Sequence, residues 1–204
     1  MVALERTDDS PTDDQIVILH DFTWEDFERL LERRGDHAVP RMAYLEGEIE
    51  LMSPSFTHEQ IKSRIGRLVE VFCEVQNVAL EAVGAWTLKE KGVERGAEPD
   101  ECYVIGARDI DPDDETARPD LAIEVIWTSG RLDKLEIYRK LGVREVWIWR
   151  LGKIAVYALR GDQYADVDKS EVLAGIDLEQ LSSFLKRKTL TDAKREYRAA
   201  LQAK

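Results

Sequence analysis

Apolar residues recur at three- and four-residue spacing through THEQIKSRIGRLVEVFCEVQ, where Ile61, Ile65, Leu68, Phe72 and Val75 form one stripe. That period predicts a long amphipathic helix over residues 57–76, opened by Thr57 and Gln60 as a capping box. TWEDFERLLERRG reads as an earlier helix, with Thr23 as N-cap, acids in its first turn and Gly35 at its end. GRLDKLEIYRKLG reads as a third, closed by Gly142, and two more are expected near 178–187 and 191–203.

Between the helices the period drops towards two. RMAYLEGEIELMS predicts a hairpin turning near Glu46-Gly47, and VREVWIWR with KIAVYALR predicts another turning at Leu151-Gly152. Further strands are expected at 79–83, 86–90, in ECYVIG, in LAIEVIW and near 163–167. Strands and helices intermingle without strict alternation, which predicts an α/β chain of mixed α+β type, a central mixed β-sheet flanked by helices. Residues 1–15, rich in acids, are expected to be disordered or loosely attached, and 16–204 to form one domain.

Composition narrows the class. The net charge is −12, which argues against casual affinity for nucleic acid without excluding a local basic site. Much of the acid surplus falls in Asp8–Asp14 and Asp109–Glu115, which read as solvated loops. Cys73 and Cys102 lie in apolar surroundings and form no ligand spacing, as in a reduced cytoplasmic protein. The N-terminal stretch carries acids and no apolar run, so no signal peptide is expected, and nothing approaches the ~18 apolar residues of a membrane span. His20, His37 and His58 show no HExxH-like spacing, and no phosphate-binding glycine loop, nucleophile elbow or dinucleotide fingerprint is present.

One residue breaks the apolar pattern. Glu124 sits inside LAIEVIW, where an unpaired charge costs several kcal/mol. The preceding loop centres on Pro112, and in an antiparallel hairpin positions equidistant from the turn face each other, which sets Asp100 against Glu124. Opposed Cβ atoms stand about 4.5–5.5 Å apart, so two such carboxylates repel unless a proton or cation joins them. A hard ion such as Mg²⁺ accepts carboxylate oxygens and suits the pair. A register slip of two would instead bring up Glu98 or Cys102. Asp120 shares the face of Glu124 but lies about 13 Å along the strand, which marks it as an end-of-strand residue and a lesser candidate.

Pro-Asp followed by a Glu on the next strand resembles the PD-(D/E)XK nucleases. LEGEIELMSPSFTHEQI, RGAEPDECYVIG and RPDLAIEVIWTSGRLDKLEIYRKLGVREVWIW resemble more closely one bacterial branch, the Uma-two restriction-endonuclease-like family, over roughly residues 40–150. The resemblance implies a restriction-endonuclease-like fold and divalent-metal hydrolysis of DNA phosphodiesters, with Mg²⁺ as cofactor and Mn²⁺ as substitute. Carried over by position, Asp100 and Glu124 are the metal-binding acids and His58 matches the family histidine after the hairpin. The usual strand lysine is replaced by Ile126, and the resemblance points instead to Lys134, with Tyr138 one turn later. Cutting both strands of a duplex commonly needs two sites, which suggests a homodimer. A nuclease fold that has lost catalysis and serves as a binding or assembly module is the alternative, supported by the acidic balance and by Ile126.

Lesser candidates each have an ordinary explanation. Glu46 and Glu48 flank the first turn and are possible further ligands; Glu70 points away from the apolar stripe and is expected in solvent. Lys89 and Lys91 are candidate phosphate contacts or charged strand ends. Trp127, Trp147 and Trp149 fit the core better than a base-stacking platform. Lys186, Arg187, Lys188, Lys194, Arg195 and Arg198 form the densest basic region and the best candidate for a DNA-facing patch.

Overall fold

The run LAIEV forms a strand buried at every position, and the larger sheet is built outward from it. The structure, a computed structural model, describes residues 13–111, 114, 116–126 and 132–203. The first half of the chain gives β1 (Gln15–Leu19), α1 (Trp24–Arg34), β2 (Arg41–Leu45), β3 (Glu48–Ser53) and α2 (Phe56–Gln76). Then come β4 (Leu80–Ala82), β5 (Leu88–Glu90), β6 (Arg95–Ala97), β7 (Glu101–Ile105), β8 (Leu121–Val125) and α3 (Lys134–Leu141). The chain ends with β9 (Glu145–Arg150), β10 (Lys153–Arg160), β11 (Gln163–Val167), α4 (Leu178–Phe184) and α5 (Leu190–Gln202).

The mixed α+β class expected from the pattern is observed, with the strands divided between two sheets rather than gathered in one. The larger sheet runs β11-β10-β9-β8-β7-β4, with β8 and β9 parallel. The smaller runs β1-β3-β2-β6-β5 and is antiparallel throughout. The division rests on β1 and β6, which the pattern left unassigned, because they extend the first hairpin on both sides into a sheet of its own.

Strand alternation separates the two faces of the larger sheet. Leu121, Ile123 and Val125 pack with Ile65, Leu68 and Phe72 of α2 and with Leu181 and Tyr197 of α4 and α5. Ala122 faces the other way, into a core shared by Ile137, Tyr138 and Leu141 of α3 and by Ala43, Leu88 and Ala97 of the smaller sheet. Helix α3 is therefore held between the sheets, and Glu124 shares that face. On the far side of the smaller sheet, α1 seats Trp24 and Phe27 against Met42, Tyr44 and Ile49. The strand there comes so close that a Cβ at Gly96 would stand 2.5 Å from the Phe27 ring.

Two local expectations are corrected. The α2 cap is Ser55, whose Oγ accepts from His58 N at 3.3 Å; Thr57 is already helical and cannot cap. The N-terminal boundary also falls earlier than residue 16. Asp14 is buried and accepts from Ser55 N at 2.9 Å, while Gln15 pairs with Ser53 in the β1–β3 ladder. Residues 1–12 lie outside the described part. Among the described residues, no helix is long and apolar enough to cross a membrane.

Candidate active site

The β7–β8 ladder pairs Glu101 with Ile123, Cys102 with Ala122 and Tyr103 with Leu121. One further step in this register sets position 100 against 124, the pairing expected from the hairpin arithmetic; Pro112, its assumed centre, lies outside the described residues. Asp100 is fully buried, and its Oδ2 accepts from Val125 N at 2.6 Å, which ties it to the carboxyl end of β8. Its Oδ1 accepts from the Arg41 guanidinium of β2, whose other nitrogen donates to Glu59 at 2.6 Å. Glu124 is 2 % exposed, and its Oε1 accepts from the Tyr138 hydroxyl of α3. Burial and the neighbouring Glu124 charge push the Tyr138 phenol far up, so it stays a donor. The second Glu124 oxygen accepts no hydrogen bond among the described residues.

A third buried carboxylate comes from the smaller sheet and meets the start of α3. Glu50 of β3 is 1 % exposed; its Oε2 accepts from Leu132 N at 3.0 Å, and its Oε1 stands 3.6 Å from Lys134 Nζ. Lys134, the first residue of α3, is itself buried, so it is no ordinary solvated helix lysine. It meets Glu50 rather than the Asp100–Glu124 pair directly.

His58 enters from the first turn of α2, fully buried. Its Nδ1 lies 3.0 Å from Asp14 Oδ2. Its Nε2 stands 2.9 Å from Asp100 Oδ1, off the line of a hydrogen bond. The N-termini of α2 and α3 thus both border the carboxylates, and the positive ends of their dipoles favour an anion between them.

Among the described residues the buried charges show a surplus of anions: the carboxylates Asp14, Glu50, Asp100 and Glu124 stand against the cations Arg41 and Lys134 and the imidazole of His58. Such a surplus calls for a proton or a cation. Among the described residues, no three His, Cys, Asp or Glu side chains already converge as a metal cluster. What fits a divalent ion is the opposed pair, since among the described residues one Glu124 oxygen accepts no hydrogen bond.

Other candidates lie elsewhere. Asp120 is buried at the opposite end of β8, where it accepts from Ile105 N, Arg108 and Arg144 and holds the strand end. Glu46 pairs with Arg95 and Glu48 with His20 at the first turn, and Glu70 pairs with Arg67. Lys89 meets Glu28, and Lys91 is exposed. Trp147 and Trp149 are core residues, and Trp127 lies outside the described part. In the basic C-terminal region Arg187, Arg195 and Arg198 are already paired with Glu196, Asp192 and Glu74. Helix α5 also packs on the face of the larger sheet opposite Glu124, so this region does not line the carboxylate cleft. Burial pushes the Cys102 thiol up to about 12 and the Cys73 thiol to about 11, as expected of core cysteines.

Sequence reasoning missed Glu50, Arg41 and Asp14. Glu50 carried the same signal as Glu124, a carboxylate within an apolar strand, but EIELM also reads as an ordinary half-exposed hairpin arm. Arg41 and Asp14 gave no local signal, since their partners are 59 and 44 positions away.

Residues 24–191 match the family model described as "Uma2: Putative restriction endonuclease", and the chain belongs to that family. No curated protein matches it significantly. Among solved structures it is similar to one described as "a putative nuclease belonging to DUF820" from Anabaena variabilis ATCC 29413. That likeness has a TM-score of 0.52 at 18 % identity and covers 86 % of this chain and 99 % of the other. At that identity it speaks for the fold.

Proposed function

We propose that this protein is a metal-dependent endonuclease that hydrolyses DNA phosphodiester bonds, with Mg²⁺ as cofactor and Mn²⁺ as its substitute. The observation that carries the reading is the pair of buried carboxylates, Asp100 and Glu124, one step beyond the β7–β8 ladder, within a surplus of buried negative charge among the described residues. These two residues would hold the ion, which when bound supplies an activated water and neutralises charge developing on the phosphate. The chain's own groups do the rest. Arg41 and Val125 N fix Asp100, the Tyr138 hydroxyl orients Glu124, and Lys134, kept in the cleft by Glu50, offers its ammonium to the phosphate or the attacking water. The converging starts of α2 and α3 favour the phosphate itself. Free buried cysteines suit a reducing compartment such as the cytoplasm, and cleavage of both strands would call for a homodimer.

The test is Mg²⁺- or Mn²⁺-dependent nicking and linearisation of plasmid DNA by the wild type, with Asp100→Ala and Glu124→Ala alongside. Loss in both variants supports the reading; cleavage retained in both identifies a contaminant and overturns it. A non-catalytic binding module is the second reading, favoured by Ile126 in place of a strand lysine. It would bind metal and leave DNA intact.

A further inference from the structure

Asp14 precedes the family match, which begins at residue 24, and nothing there assigns it a role. In the fold it is buried, and it stands on the far side of His58 from Asp100. The imidazole is flanked by the two carboxylates, at 3.0 Å from Nδ1 to Asp14 Oδ2 and 2.9 Å from Nε2 to Asp100 Oδ1. All three side chains are 0 % exposed. An imidazole hydrogen-bonded to a buried carboxylate has its ring angle fixed by that bond. The other Asp14 oxygen accepts from Ser55 N, the cap residue of α2, so the same carboxylate fixes both the ring of His58 and the helix turn that carries it.

We infer that Asp14 is a positioning residue of the active site: it locks His58 so that Nε2 faces Asp100 Oδ1, and thereby sets the orientation of the metal-binding carboxylate. The inference rests on the nuclease reading above for the use of Asp100, but its central measurement is independent of cleavage. It also makes Asp14, the residue just before β1, a part of the site.

The experiment uses the full chain and four variants: Asp14→Asn, Asp14→Ala, His58→Ala, and Asp14→Ala combined with His58→Ala. Mn²⁺ affinity is measured by calorimetry, plasmid cleavage gives kcat and KM, and circular dichroism checks folding. Asp14→Asn keeps an acceptor for Ser55 N, so it reports on the site even where Asp14→Ala loosens the fold. Expected is a fall of about 10- to 100-fold in Mn²⁺ affinity and in kcat for Asp14→Asn, the range for lost support of a metal ligand, with KM for DNA unchanged. In the His58→Ala background, removing Asp14 should cause no further fall. Wild-type affinity and kcat in folded Asp14→Asn would overturn the inference. An equal loss with or without His58 would overturn it too, by reducing Asp14 to a structural cap. A wild type that binds Mn²⁺ without cutting DNA defeats the nuclease reading alone, and the affinity ratios still decide the role of Asp14. A wild type that binds no Mn²⁺ defeats both.

Discussion

Glu124 keeps its place in an apolar strand because the Tyr138 hydroxyl donates to one of its oxygens. Removing that hydroxyl tests the arrangement directly. Tyr138→Phe should lower cleavage by about 10-fold, in the range for lost support of a metal ligand, because Glu124 loses its orienting partner. Leaving a buried acceptor unmet should also destabilise the fold by about 1–3 kcal/mol, read from urea unfolding. Glu101, one residue from Asp100, offers a contrasting case. Burial raises its carboxyl above the ordinary value; Lys62 at 4.0 Å draws it back and Glu70 pushes it further up. A raised carboxyl favours the proton in the folded state, so this contribution is present in acid and is lost as pH rises through the folded value. Glu101→Gln should therefore be more stable than wild type near neutrality and match it below the carboxylate range. Thermal midpoints measured from pH 3 to 8 decide it, and a difference that shrinks with rising pH would refute the assignment.

At the scale of elements, close approach explains what composition does not. Gly96 lies in a three-residue strand and has no obvious purpose in the sequence. In the fold its missing side chain admits the Phe27 ring, which Trp24 and Tyr44 hold at centroid distances of 5.3 and 5.5 Å and which therefore cannot yield. Gly96→Ala should cost about 1–3 kcal/mol by overpacking, measured by urea unfolding, with no loss of cleavage per folded molecule. The long helices, both hairpins and the pairing of β7 with β8 were legible, since each rests on local periodicity or on a turn with arms of known length. β1 and β6 were not. Each is short, and each is specified by pairing with β3 or β2 rather than by its own pattern. The α2 cap was misread for a related reason: Thr57 and Ser55 are both good capping residues, and Asp14, distant in sequence, helps fix which one is used.

At the scale of the whole molecule, the site is a meeting of separately folded parts: β3 brings Glu50, β8 brings Glu124, and the starts of α2 and α3 bring His58 and Lys134. The sequence exposed the Asp100–Glu124 pair because one hairpin carries both; Glu50 comes from a different sheet, and only tertiary folding unites it with Lys134. Among the described residues the buried carboxylates outnumber their cations, so on the nuclease reading metal binding becomes a matter of global stability. An ion bound by the native state alone stabilises it by about 2.7 kcal/mol at 100-fold excess over Kd. For a chain of this size each kcal/mol moves Tm by about 2–4 °C, so saturating Mn²⁺ should raise the midpoint by about 5–11 °C. Glu124→Gln keeps the bond from Tyr138 while removing one buried charge. It should therefore melt above wild type without metal and gain little from Mn²⁺. Asp100→Asn should also lose the metal response but start lower, because it weakens the partners of Arg41 and His58. Differential scanning calorimetry with EDTA and with Mn²⁺ separates these outcomes. A full Mn²⁺ response in Glu124→Gln would show that the ion binds elsewhere and that the buried charge is neutralised by protons.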